Sequence, residues 1–143
     1  MMNEEEVAKL FERGIVCSQI CLSELSEEVG LDEAMAKRMA ALFGGGAWCG
    51  EMCGAVSGCL MALGMRYGHH ELDDAAQREL GMKKLMEFKQ RFENEYGSIV
   101  CREILGYDLS KPEEMRIIQE KGFFVNKCPR LVCRAVEMAR EVL

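Results

Sequence analysis

Apolar residues recur every three to four positions along almost all of this 143-residue chain, and only two prolines interrupt it. That spacing puts apolar side chains on one face of a helix, and no stretch alternates at the two-residue period of a strand. The chain is therefore read as all-α. A first segment runs from about Glu4 to Glu28. Val7, Leu10, Phe11 and Ile15 form one stripe, which Val16, Ile20 and Leu25 continue after a break near Gly14. Gly30 stands where a C-terminal cap belongs, and Asp32 is suited to cap a second helix that turns Ala34, Met35, Met39 and Leu42 inward. Gly44-Gly45-Gly46 stops that helix and opens a glycine-rich loop to Glu51. A third helix follows from near Met52 to about Tyr67. It carries Gly54, Gly58 and Gly64, each of which weakens a helix unless another group must approach closely. Asp73 or Asp74 caps a long fourth helix to about Tyr96, and Ser98 caps a short one through Leu105. Ser110-Lys111-Pro112-Glu113 has the form of a capping box, Gly122 ends the helix it opens, and a last helix starts around Pro129. The expected architecture is a single-domain bundle of about six to seven helices with a glycine-rich loop before the third.

Apolar residues make up 49% and charged residues 29%, proportions of a globular chain able to bury its own core. A formal net charge of -6 argues against non-specific nucleic-acid binding, which needs a cationic surface. The opening Met1-Met2-Asn3-Glu4-Glu5-Glu6 is acidic, whereas a secretory signal begins basic and turns apolar. Apolar runs are broken well short of a membrane span. A cytoplasmic protein without membrane insertion is the expectation. Eleven methionines, mostly at helical spacing, are read as an adaptable core, with a soft surface for self-association as the other use.

Eight cysteines in such a chain are unusual. In a reducing compartment, thiols more often hold metal or exchange electrons than form structural disulfides. Cys17 and Cys21 are four apart on the first helix and share a face, but an intact helix holds them too far apart for a disulfide. Cys53 falls in the first turn of the third helix, where free N–H groups and the macrodipole favour a thiolate or an anionic metal–thiolate group. Cys49, in the glycine loop, is a spare ligand, a resolving thiol or a loop cysteine without function. Cys101 opens a short helix, and Cys128 precedes Pro129, which presents a ligand at a helix start. Cys21, Cys59 and Cys133 are assigned to the core. No zinc-ribbon Cys-x-x-Cys pair, haem attachment motif or compact ferredoxin run is present. Any shared site must be assembled by folding.

Four segments in order carry a resemblance: Gly14 to Gln19 around Cys17; Gly44-Gly45-Gly46 through Cys53-Gly54-Ala55-Val56-Ser57-Gly58; Gly97-Ser98 through Cys101 to Gly106; and Gly122 with Lys127-Cys128-Pro129. They resemble the C_GCAxxG_C_C family of small redox-active proteins over nearly the whole chain. The label's Gly-Cys-Ala reads Cys-Gly-Ala here, and Cys21, Cys49, Cys59 and Cys133 lie outside the pattern. The resemblance implies redox activity, and a related helical domain of split-Soret cytochromes is associated with an iron–sulfur centre. On that analogy Cys17, Cys53, Cys101 and Cys128 would supply four thiolates to an iron–sulfur cluster for electron transfer or redox sensing. A metal-free thiol–disulfide protein is the first alternative, with Cys53 attacking and Cys49 or Cys128 resolving. A structural zinc site on the same four cysteines is the second. Either redox reading implies a redox partner protein. His69 and His70 are read as exposed loop residues, Trp48 as a cover for the glycine loop, and Arg102, Lys127 and Arg130 as a solvated face able to lower thiol pKa.

Overall fold

The computed structural model describes residues 2–143. The described residues form α1 (Glu4–Glu12), α2 (Cys17–Leu25), α3 (Glu33–Ala40), α4 (Gly54–Tyr67), α5 (Ala75–Tyr96), α6 (Cys101–Leu105), α7 (Pro112–Glu120), α8 (Phe123–Asn126) and α9 (Cys128–Val142). The all-α expectation holds. The first expected helix is two, because Gly14 takes φ 88° and the chain re-enters helix only at Cys17. Cys17 is therefore a helix start and not a mid-helix residue. Gln19 accepts a hydrogen bond from the Val16 N–H there, over 3.0 Å.

Other caps sort by the same physics. Asp32 accepts from the Met35 N–H and Asp74 from the Gln77 N–H, as a short carboxylate before a helix does. The box at Ser110 does not form: Ser110 donates its N–H and hydroxyl to Asp108, and Lys111 occupies the cap position ahead of Pro112. Ser98 stands two residues outside α6. Its hydroxyl accepts from the Val100 N–H and donates to Glu103.

At the centre α2 lies along α4. A Cβ added at Gly54 would meet Cys17 Sγ at 2.3 Å, and one added at Gly58 would meet the Ser18 carbonyl at 2.6 Å and Cys21 Cβ at 3.0 Å. Successive turns of α2 thus rest on successive glycines of α4, so the two helices run parallel with their N-termini at the same end. The glycines remove side chains that would hold the backbones apart. α9 packs against both, and Ile20, Leu22, Leu25, Val56, Phe88, Phe92 and Met138 fill the core around them.

α3 corrects the expected inward face. Met35, Met39 and Leu42 are exposed, Leu42 at 84%, and the buried positions are Ala36 and Ala40. The reason is distance. The buried Ser18 hydroxyl donates to the Ala40 carbonyl over 2.6 Å, so α2 and α3 lie too close for a methionine between them. The reading of the methionines as mostly core fails more widely, since Met52, Met65, Met82 and Met86 are exposed as well.

Candidate functional site

Cys17, Cys53, Cys101 and Cys128 line one cavity of about 360 Å³. Each stands at the start of a helix. Cys17, Cys101 and Cys128 are the first residues of α2, α6 and α9, and Cys53 is the N-cap of α4. Four helix N-termini thus meet at one space. The remaining wall is apolar, with Phe11, Val16, Leu105, Leu109, Met115 and Phe124 among its residues; Glu12 is its one charged residue among those described.

Local pairing sets two of the sulfurs side by side. Met52 and Val100 form an antiparallel bridge in which the Cys53 N–H donates to the Ile99 carbonyl over 2.7 Å and the Cys101 N–H to the Glu51 carbonyl over 2.6 Å. This extended segment delays the third helix from the expected Met52 to Gly54. It also leaves Cys53 outside the helical turn, capping it. Arg102 braces the same junction by donating to the Gly50 carbonyl and, over 2.6 Å, to the Glu51 carboxylate.

The glycine loop closes the cavity by an uncommon path. Gly45, Gly46, Ala47 and Trp48 take φ between 55° and 66° in succession, a left-handed turn containing two residues with a Cβ. It sets Trp48 at the cavity mouth, on the wall yet 59% exposed. Trp48 does cover the loop: its ring lies where a Cβ on Gly45 would be.

Burial controls the thiols. It pushes Cys17 up and Cys53 well above the ordinary range, and it raises Cys101 and Cys128 to about 12. Backbone N–H groups of Gly45 and Ser18 pull Cys17 the other way, and those of Ala55 and Val56 pull Cys53. Desolvation outweighs them, so the expected helix-end thiolate at Cys53 does not arise from the protein alone. Charge on a neighbour adds to the rise: Cys17 acts on Cys53, Cys101 and Cys128. The four sulfurs are neutral together unless a cation sits among them.

The other cysteines lie elsewhere. All eight are free. Cys21 and Cys59 are wholly buried, Cys133 is partly buried, and Cys49 is exposed with its thiol donating to the Gly46 carbonyl over 3.2 Å. Lys127 donates to the Ile104 carbonyl, and Arg130 pairs with Glu4 at the surface. His69 and His70 are exposed.

The family described as "Putative redox-active protein (C_GCAxxG_C_C)" matches residues 15–142. The chain belongs to this family. The C_GCAxxG_C_C span takes in every cysteine on the cavity wall and all helices but α1. No curated protein and no solved structure matches the chain.

The apolar wall was not legible from spacing. Val16, Leu109 and Phe124 sit in or near chain breaks, where periodicity says nothing about direction. Arg102 is a brace that the sequence offered only as a flanking charge. No helix among the described residues is long and apolar enough to cross a membrane.

Proposed function

We propose that Cys17, Cys53, Cys101 and Cys128 hold an iron–sulfur cluster in this cavity, and that the protein carries or senses electrons through it. The observation that carries the reading is the meeting of four thiols, each at a helix start, on the wall of one apolar space. Four thiolates are the ligand count of a two-iron or four-iron cluster. Iron supplies the positive charge that deprotonates buried thiols, and the N–H groups of four helix ends offset the negative charge of the loaded site.

The size of the shared space, about 360 Å³, favours a group of several atoms over one ion. Zinc bonded to four sulfurs at ~2.3 Å draws them to within about 4 Å of one another. Among the described residues no three His, Cys, Asp or Glu form a group that could hold a metal ion as they stand, so either occupant would draw the sulfurs inward. The metal-free alternative loses support at Cys49, which stands outside the cavity wall.

When bound, a cluster supplies one-electron chemistry. The apolar wall would keep it from water, and Trp48 and Val125, which line the cavity and are exposed, would face a partner protein. Protein prepared without oxygen should be brown and contain iron and acid-labile sulfide in comparable amounts. Stoichiometric zinc without colour would replace this reading with the structural one, and metal-free protein that cycles between thiol and disulfide would replace it with the dithiol one.

A further inference from the structure

Three of the four cysteines outside the family pattern lie one to two turns below the cavity. Cys21 follows Cys17 on α2, Cys59 follows Cys53 on α4, and Cys133 follows Cys128 on α9. The close contact at Gly58 brings α2 and α4 together at this level, since a Cβ there would lie 3.0 Å from Cys21 Cβ. Cys59 is the residue after Gly58, it and Cys21 are fully buried in the same core cluster, and Cys21 Sγ lies 4.0 Å from the carbonyl of Val132, the residue before Cys133. Cys21 and Cys59 are fully buried, whereas Cys133 is partly exposed at the edge of α9 beside the Met2 carbonyl.

We infer that Cys21, Cys59 and Cys133 form a second redox centre made of thiols alone, which peroxide converts to a Cys21–Cys59 disulfide between α2 and α4. Cysteines at a contact where two helices pack this closely need little backbone movement to join. Cys133 meets the oxidant first because the other two have no surface. Its sulfur takes one oxygen from the peroxide to become a sulfenic acid, and the other oxygen leaves as water. Cys21 Sγ attacks that sulfur, and the hydroxyl departs as a second water. Cys59 Sγ then displaces Cys133 from Cys21, and Cys133 recovers its proton as a thiol. In sum, two thiols and one peroxide become one disulfide and two waters. The centre is independent of whatever occupies the cavity above it.

The test uses the full chain carrying Cys17→Ser, Cys49→Ser and Cys53→Ser. Trypsin then leaves Cys21 as the sole cysteine of fragment 14–37 and Cys59 as the sole cysteine of fragment 39–66. After hydrogen peroxide these fragments should be recovered joined, and the melting temperature should rise by several degrees. Adding Cys133→Ser should slow joining at least tenfold. Should the triple variant fold poorly, Cys59→Ala in the otherwise unaltered chain gives the same answer: lacking the last thiol, it should stop at a Cys21–Cys133 disulfide, recovered as fragment 14–37 joined to fragment 131–134. Fragments that stay separate, no Cys21–Cys133 bond in Cys59→Ala, or joining at an unchanged rate without Cys133 would overturn the inference.

Discussion

Gly54 decides how near Cys17 comes to Cys53. A methyl group there would fall 2.3 Å from Cys17 Sγ, 3.1 Å from the Phe43 carbonyl and 3.2 Å from Gly44 Cα. Two of those neighbours are backbone and cannot step aside. Gly54→Ala should therefore cost about 2–3 kcal/mol in thermal or denaturant unfolding and lower the iron content with it. Gly64, in the same helix, has nothing within 4 Å of its added Cβ. Gly64→Ala should stabilise by about 0.5–1 kcal/mol, and equal effects at the two positions would refute the close-approach account. The thiols themselves give a pH prediction. Unfolded cysteines lose their protons near pH 9, whereas burial holds Cys101 and Cys128 to about 12. Between those values the native state binds more protons than the unfolded one. Stability of the metal-free protein should thus be flat below pH 9 and fall as pH rises toward 12, by up to about 1.4 kcal/mol per pH unit for each thiol. A metal-free protein whose stability is level across that window would contradict the burial of these sulfurs.

At the scale of elements, the site depends on a parallel pair of helices and a short bridge. Ser18 ties α2 to α3 through its buried bond to the Ala40 carbonyl. Ser18→Ala leaves that carbonyl only its bond from the Phe43 N–H and should cost about 0.5–1.5 kcal/mol by chemical denaturation, while Ser18→Thr tests whether the hydroxyl alone suffices. An unaltered midpoint in Ser18→Ala would show that packing and the bond from Gln19 to the Lys37 carbonyl suffice to hold α2 and α3. Here too the limits of reading a sequence become physical. Glycine and aspartate marked the ends of α3, α5 and α7 because they act on their own backbone, and Asp32, Asp74 and Gly122 needed no knowledge of the fold, whereas α2 ends at Leu25, five residues short of the cap expected at Gly30. The inward face of α3 did need it. Met35 and Met39 have the right spacing, yet the nearness of α2 gives the interface to Ala36 and Ala40. The bridge between Met52 and Val100 joins segments 48 residues apart, a long-range pairing that no local pattern encodes.

Across the whole molecule, the four motif cysteines were legible as a set because they match an ordered family pattern, and the chain belongs to that family over residues 15–142. The rise of their pKa values was not legible, since helix position argued for thiolates while burial, a property of the assembled fold, decides for thiols. The whole molecule also sets how loading is felt. The cavity wall draws on α1, α2, α4, α6, α7, α8 and α9, so an occupant that joins four of these helices should stabilise all of them cooperatively. Loaded protein should melt well above metal-free protein in a single transition, and a cluster that left the melting temperature unchanged would place it outside the fold described. The most direct test replaces each cysteine in turn with serine and records visible absorption and iron per chain in anaerobically prepared protein. Loss of both in Cys17, Cys53, Cys101 and Cys128 variants, with both retained in Cys21, Cys49, Cys59 and Cys133 variants, is the predicted result. A colourless parent, or colour that survives in any of the first four, would contradict a shared iron–sulfur centre at this cavity.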